Sequence, residues 1–215
     1  QHCYHLSYGM VDLPSGKMKS REGTVVDADD LIDEVVASAK DMTQERGHLD
    51  GLSEPARNTL YAQIGLGGLK YYLLKVDPKK RMLFNPEESI DLTGNTGPFI
   101  QYAHARICTL LEKADYQLQE LQSGLAMKSE EKEIIKQLTL FESCVLEAAA
   151  NYSPAVIANF IYELVKLYNT FYQNVKVVSE PDAELRQLRL SISAVVRQTI
   201  AHGLRMLGIE APQRM

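Results

Sequence analysis

The sequence has no tryptophan and few cysteines: Cys3, Cys108 and Cys144 stand far apart, with no CxxC pair. That argues against a disulfide or zinc framework and fits a reducing, cytoplasmic setting. No apolar run approaches the roughly 20 residues a bilayer-spanning helix needs, and nothing resembles a signal peptide, so no membrane association is expected. Positive charge is in the minority, with 23 Lys and Arg against 28 Asp and Glu, a net charge of -5. A phosphate-binding surface would therefore have to be local. Internal repeats at solenoid periods and low-complexity segments are also missing, which argues against a repeat array.

What is present is ordinary for a globular chain: 215 residues, 45% hydrophobic and 24% charged, enough for one or two domains with a sizeable core. The charge is unevenly spread. From Arg186 onward, Arg186, Arg189, Arg197, Arg205 and Arg214 face the single acid Glu210, and Lys17, Lys19 and Arg21 make a second basic spot. Such arginines serve either a solvated helix face or an RNA contact.

Strand character is confined to residues 3–11 and 24–26, on either side of the turn-rich Asp12-Leu13-Pro14-Ser15-Gly16. The alternating run Tyr4-His5-Leu6-Ser7-Tyr8 enters in mid-strand, so Gln1 is expected to continue an upstream segment. Helical periodicity then takes over. One helix is capped near Asp27 or Asp29 and ends at Gly47; a second opens at Ser53-Glu54-Pro55 and runs to about Lys75. Residues 77–97 read as loop and domain boundary. Further helices are predicted from Pro98 to about Leu121, from Ser129, from Ser153-Pro154 and from Pro181 to Gly208. The last should carry Leu185, Leu188, Ile192, Val195, Thr199 and Leu207 on one face. The pattern predicts a mainly α protein: an antiparallel helical bundle over residues 94–215, preceded in 1–93 by a short β and loop remnant with connecting helices.

Several local patterns carry chemistry, each with a plainer counterpart. Gly16-Lys17-Met18-Lys19-Ser20-Arg21-Glu22-Gly23 places cations at alternating positions, as a loop closing over a polyphosphate would. A solvated hairpin loop serves equally well. Gly65-Leu66-Gly67-Gly68 fits neither phosphate-loop spacing and is expected to let helices approach closely. His2, Cys3 and His5 lack a second cluster at zinc spacing, so no metal is expected, and Ser129-x-x-Lys132 is explained by helix capping. Phe99, Tyr102 and Arg106, spaced three and four apart, share one helix face. Rings beside a guanidinium suit unstacked bases, while a core face with a snorkelling arginine is the alternative.

These residues bring a family into view. Tyr8-Gly9-Met10-Val11 followed by Lys17-Met18-Lys19-Ser20-Arg21-Glu22-Gly23-Thr24-Val25-Val26 resembles the class I signature loop in its arginyl-tRNA synthetase form. Gly94-Asn95-Thr96-Gly97-Pro98-Phe99-x-Gln101-Tyr102-Ala103-His104-Ala105-Arg106 is similar to the opening of that family's anticodon-binding domain. Phe171-Tyr172-x-x-Val175-x-Val177 and the closing Gly208-Ile209-Glu210-Ala211-Pro212-x-Arg214-Met215 also match. The resemblance implies a C-terminal fragment of a ligase that joins arginine to its tRNA, using ATP accompanied by Mg2+. In it Lys17 and Lys19 would hold the pyrophosphate, with Met18, Ser20, Arg21 and Gly23 shaping the ATP loop. Ser20 departs from the general class I pattern, which carries a lysine there. The same resemblance puts Phe99, Tyr102, Arg106, Tyr172 and Met215 against the anticodon loop of an arginine tRNA, in a monomer. No His-x-Gly-His segment occurs in the chain, so the piece alone is expected not to activate arginine. The competing readings are a cysteinyl-type synthetase fragment, a stand-alone helical RNA-binding module and a protein-interaction scaffold.

Overall fold

The computed structural model describes residues 3–14, 27–46, 51–121 and 123–215. The proposed ATP loop, Lys17 to Gly23, and the strand expected at 24–26 lie outside the described residues.

Strand content is smaller than the alternation suggests. Strand β1 is Val11–Asp12 and pairs in parallel with β2, Met82–Leu83, in the register Val11 to Met82. Residues 4–8 have no strand partner among the described residues, and an extended run without one cannot satisfy a ladder of backbone groups. Tyr4 stacks instead on the exposed Tyr152, with ring centroids 4.1 Å apart. The stretch expected to be loop thus supplies β2, and also a short helix α3, Pro86–Ser89, capped by the Asn85 side chain.

Helix α1 covers Ala28–Arg46, with Asp27 Oδ1 accepting the Asp29 N–H, and α2 covers Glu54–Leu74 with proline in its first turn. The α2 glycines do what the sequence suggests. A Cβ on Gly65 would lie 2.8 Å from the Val35 carbonyl oxygen of α1, one on Gly67 would lie 2.5 Å from the Gln101 amide, and one on Gly68 would lie 2.6 Å from the Ser89 carbonyl oxygen. Helix α2 therefore presses three neighbours against its backbone at once.

Helix α4, Gly97–Lys113, stops eight residues short of the predicted Leu121: Asp115 takes a left-handed conformation (φ 46°), which breaks the ladder. Two helices, α5 (Ser129–Thr139) and α6 (Phe141–Asn151), stand where one was predicted. The hydroxyls of Thr139 and Ser143 bond back to the carbonyls of Lys136 and Leu140, which favours a bend at Leu140. The N-cap position of α5 is Lys128 and not Ser129, its N–H donating to Glu131 at 2.5 Å. Helices α7 (Pro154–Asn174) and α8 (Ala183–Met206) begin and end near their predicted limits, α8 closing on Gly208 at φ 68° with Ile209 N–H donating to the Leu204 carbonyl. Val195 departs from the expected stripe and is 47% exposed.

The main core is built from α4, α5, α7 and α8, with Cys144 of α6 and Tyr71 of α2 contributing to it. The Tyr71 hydroxyl lies 2.6 Å from Asn95 Oδ1 and 2.9 Å from the Ala158 carbonyl oxygen. Two smaller clusters flank α2: Leu13, Val35, Leu69, Phe84 and Ile90 in one, Ala39, Leu60, Tyr61 and Ile64 in the other.

The arginine-rich C-terminal stretch does not form one surface. Arg189 is 2% exposed and donates to Glu131 at 2.6 Å, to Glu180 and to the Lys176 carbonyl at 2.8 Å. A basic residue in an amphipathic helix was expected outside; here two carboxylates from other parts of the chain make burial tolerable.

Candidate nucleic-acid interface

The site begins with a helix start. The Thr96 hydroxyl oxygen accepts the Phe99 N–H at 3.2 Å and its proton goes to the Asp91 carbonyl, so the first turn of α4 is fixed in place. From that start Phe99, Tyr102 and Arg106 project along one stripe. None of them is sealed in the core: Tyr102 is 39% exposed, and Phe99 and Arg106 are half-buried.

Helix α7 supplies the opposite wall. The Arg106 guanidinium carbon lies 4.7 Å from the centroid of the Tyr172 ring, and its Nη2 donates to Asn169 Oδ1 at 2.6 Å. Further toward the helix starts, Phe99 meets Tyr162 with centroids 5.8 Å apart, and Lys166 Nζ lies 5.3 Å over the same Tyr162 ring. Residue pairs 99 with 162 and 106 with 169 have one common offset, so α4 and α7 run parallel. Chain neighbours such as α7 and α8 are antiparallel, as short connections require.

Tyr172 is 39% exposed and anchored from beneath by Tyr168, with ring centroids 6.3 Å apart. Tyr168 is fully buried, its hydroxyl donating to Ser193 Oγ at 3.0 Å, and burial pushes its pKa up to about 12. It remains a neutral donor at any working pH. Arg106 Nε is buried without a hydrogen-bond partner among the described residues. An arginine held over a ring, beside an outward tyrosine, can stack a base and donate to its edge.

Met215 lies elsewhere. It packs, half-buried, on the cluster of Ala39, Leu60, Tyr61 and Ile64 between α1 and α2. The tail leading to it is tied across α2 and α4: Lys70 donates to the Gly208 carbonyl at 2.7 Å, Gln101 Nε2 to the Glu210 carbonyl at 2.8 Å, and His104 Nδ1 is 2.9 Å from the Pro212 carbonyl. Phe99, Tyr102, Arg106 and Tyr172 are thus brought to one face, and Met215 joins the α1–α2 pair. Sequence reasoning missed Tyr162, Lys166 and Asn169. Their spacing of four and three, a polar stripe in an otherwise apolar helix, was the available signal.

Residues 100–215 match the DALR anticodon binding domain. The chain belongs to this family. The DALR match takes in α5 to α8 and nearly all of α4, including Tyr102, Arg106 and Tyr172. The arginine–tRNA ligase of Flavobacterium psychrophilum is 54% identical over 212 residues, covering 99% of this chain and 35% of that protein. That of Parabacteroides distasonis is 49% identical over 215 residues, covering 98% and 36%. Among solved structures, the arginyl-tRNA synthetase of Thermus thermophilus superposes with a TM-score of 0.88 at 31% identity, over 98% of this chain and 35% of that one. The Plasmodium falciparum arginyl-tRNA synthetase shares the fold at 20% identity, with a TM-score of 0.80. The chain spans about a third of the length of the curated relatives it matches.

Proposed function

We propose that this chain is part of an arginine–tRNA ligase and carries the helical domain that holds the anticodon loop of an arginine tRNA. The observation that carries the reading is the stack of Arg106 on Tyr172 beside the outward Tyr102, within a DALR domain. Bases stack on any aromatic face at about 1–3 kcal/mol each, and the arginine adds charge where the RNA backbone runs. Residues 94–215 form the binding domain on this reading, with 1–93 closing a catalytic domain. Helices α1 and α2 link the two and brace the inner side of the tRNA. The whole enzyme would attach arginine through an adenylate formed from ATP with its Mg2+, act as a monomer, and work in the cytoplasm. Lys17 and Lys19 would hold the departing pyrophosphate, in a loop shaped by Met18, Ser20, Arg21 and Gly23. Met215, seated on α1 and α2, would lay its thioether against a base of the anticodon loop.

Two measurements test this. The chain should bind an arginine tRNA transcript in preference to other tRNAs, with an affinity that falls steeply with salt. Equal affinity for all tRNAs would reduce the reading to a generic RNA binder. ATP–pyrophosphate exchange should be absent from this chain alone, and turnover would overturn that part.

A further inference from the structure

We propose that the anticodon face has a second nucleotide station, formed by Phe99, Tyr162 and Lys166, which stacks a second unpaired base and neutralises its phosphate. The inference rests on the reading above and extends it to α7 residues outside the motif shared with the family. The geometry repeats. At the first station a cation from α4 lies over a ring from α7, with Asn169 beside it. At the second a ring from α4 meets a ring from α7, and a cation from α7 lies over that ring. The two are separated by seven residues on α4, from Phe99 to Arg106, about 10.5 Å along the axis, and by ten on α7, from Tyr162 to Tyr172, about 15 Å. One base cannot occupy both stations, whereas a strand with its bases turned toward the protein can fill them in succession, with Tyr102 between.

The chemistry at the second station fits an RNA strand. Phe99 and Tyr162 are half-buried, so each is held by packing and keeps part of its surface in solvent. The Lys166 side chain is half-exposed and bonded to Glu163 at 2.9 Å, an i,i+3 surface pair. Such pairs contribute little to stability, so a phosphate can replace the carboxylate at small cost. Glu163 itself opposes the phosphate, which makes the lysine's partner exchange the step to test.

The test is a titration of the protein with an arginine tRNA transcript over a range of salt, reading both Kd and the slope of log Kd against log salt. Lys166→Gln should weaken binding and flatten the slope by about 0.7, the value for one phosphate of a single strand. Glu163→Gln should tighten binding. Tyr162→Ala should weaken it by roughly 5- to 150-fold, and Tyr162→Phe should restore it. Because Tyr162→Ala also removes packing, its thermal melt is recorded alongside; Lys166→Gln, at the surface, needs no such allowance. Tyr172→Ala separates the two levels. If Tyr172→Ala weakens binding while Lys166→Gln leaves Kd and slope unchanged, the second station is wrong and the anticodon face stands. If neither changes binding, the face itself is wrong.

Discussion

Asn169 holds Arg106: one amide oxygen on α7 accepts from the guanidinium at 2.6 Å, and the guanidinium carbon lies 4.7 Å from the centroid of the Tyr172 ring. The two residues stand at matching positions on parallel helices, so the orientation is fixed by the helix pairing. Arg106→Lys keeps the charge but loses the flat fork that can both stack and bond to Asn169. It should weaken binding of an arginine tRNA by roughly 10-fold, about 1.4 kcal/mol, with the salt slope unchanged. Equal affinity for the variant and the parent in a filter-binding titration would remove Arg106 from the interface.

The crossing of α2 and α4 gives a prediction about stability. A Cβ at Gly97 would lie 2.4 Å from the Gly67 carbonyl oxygen, and backbone cannot step aside as a side chain can. Gly97→Ala should cost about 1–3 kcal/mol in a urea melt, as overpacking does. A stability within a few tenths of a kcal/mol of the parent would show that the two helices can separate freely.

Arg189 is the counterpart in the bundle's interior. Burial works against its charge, but the bonds to Glu131 and Glu180 more than offset this and raise its pKa. Arg189→Ala leaves Glu131, itself fully buried, without its partner, and should cost about 3–5 kcal/mol. Arg189→Met combined with Glu131→Leu should recover part of that loss, because the buried charge and its buried orphan leave together while the more exposed Glu180 is left to water and the Lys128 N–H loses its acceptor. Denaturant melts of the single and double variants decide it; a double variant no better than the single would contradict the account.

His104 predicts a pH effect. Burial holds its pKa below the ordinary 6.5, the bond to Pro212 opposes the shift, and Arg197 reinforces it. A carbonyl can only accept, so Nδ1 carries the proton of the neutral ring. The folded state therefore binds fewer protons than the unfolded one below 6.5, and stability is lost as pH falls through that value and is flat above it. His104→Asn keeps a donor near the Pro212 carbonyl without titrating. The parent should lose more of its melting temperature than the variant between about pH 7.5 and 5.5. Parallel losses would exonerate His104.

The sequence made one wall of the candidate site legible and hid the other. Phe99, Tyr102 and Arg106 could be read from helix spacing, and Thr96 from the capping rule, because both are local. Tyr162, Lys166 and Asn169 could not be assigned, since the pairing of α4 with α7 is a tertiary choice made across two intervening helices. Arg189 looked like surface because its partner Glu131 lies 58 residues away. The strand at 11–12 was overextended for the same reason: its length depends on a partner at 82–83. The glycines of α2 were read correctly, since three in four positions within a helical pattern leave close packing as the physical use. The loop at 17–23 was the most chemically suggestive motif, and it falls outside the described residues.

Helix α2 touches all three apolar clusters, lending Tyr71 to the largest, Leu69 to the second and Leu60, Tyr61 and Ile64 to the third. Anyone subcloning the bundle at the edge of the family match, residue 100, would leave out the helix that fills the Tyr71 seat and backs Gln101. The excised piece would show water an apolar trough along α4 and α7, and it should be recovered as aggregates. The smallest portion worth expressing begins ahead of Ala28, because α1 supplies Val35 and Ala39 to the two smaller clusters and cooperativity here follows shared packing, not the borders of sequence similarity.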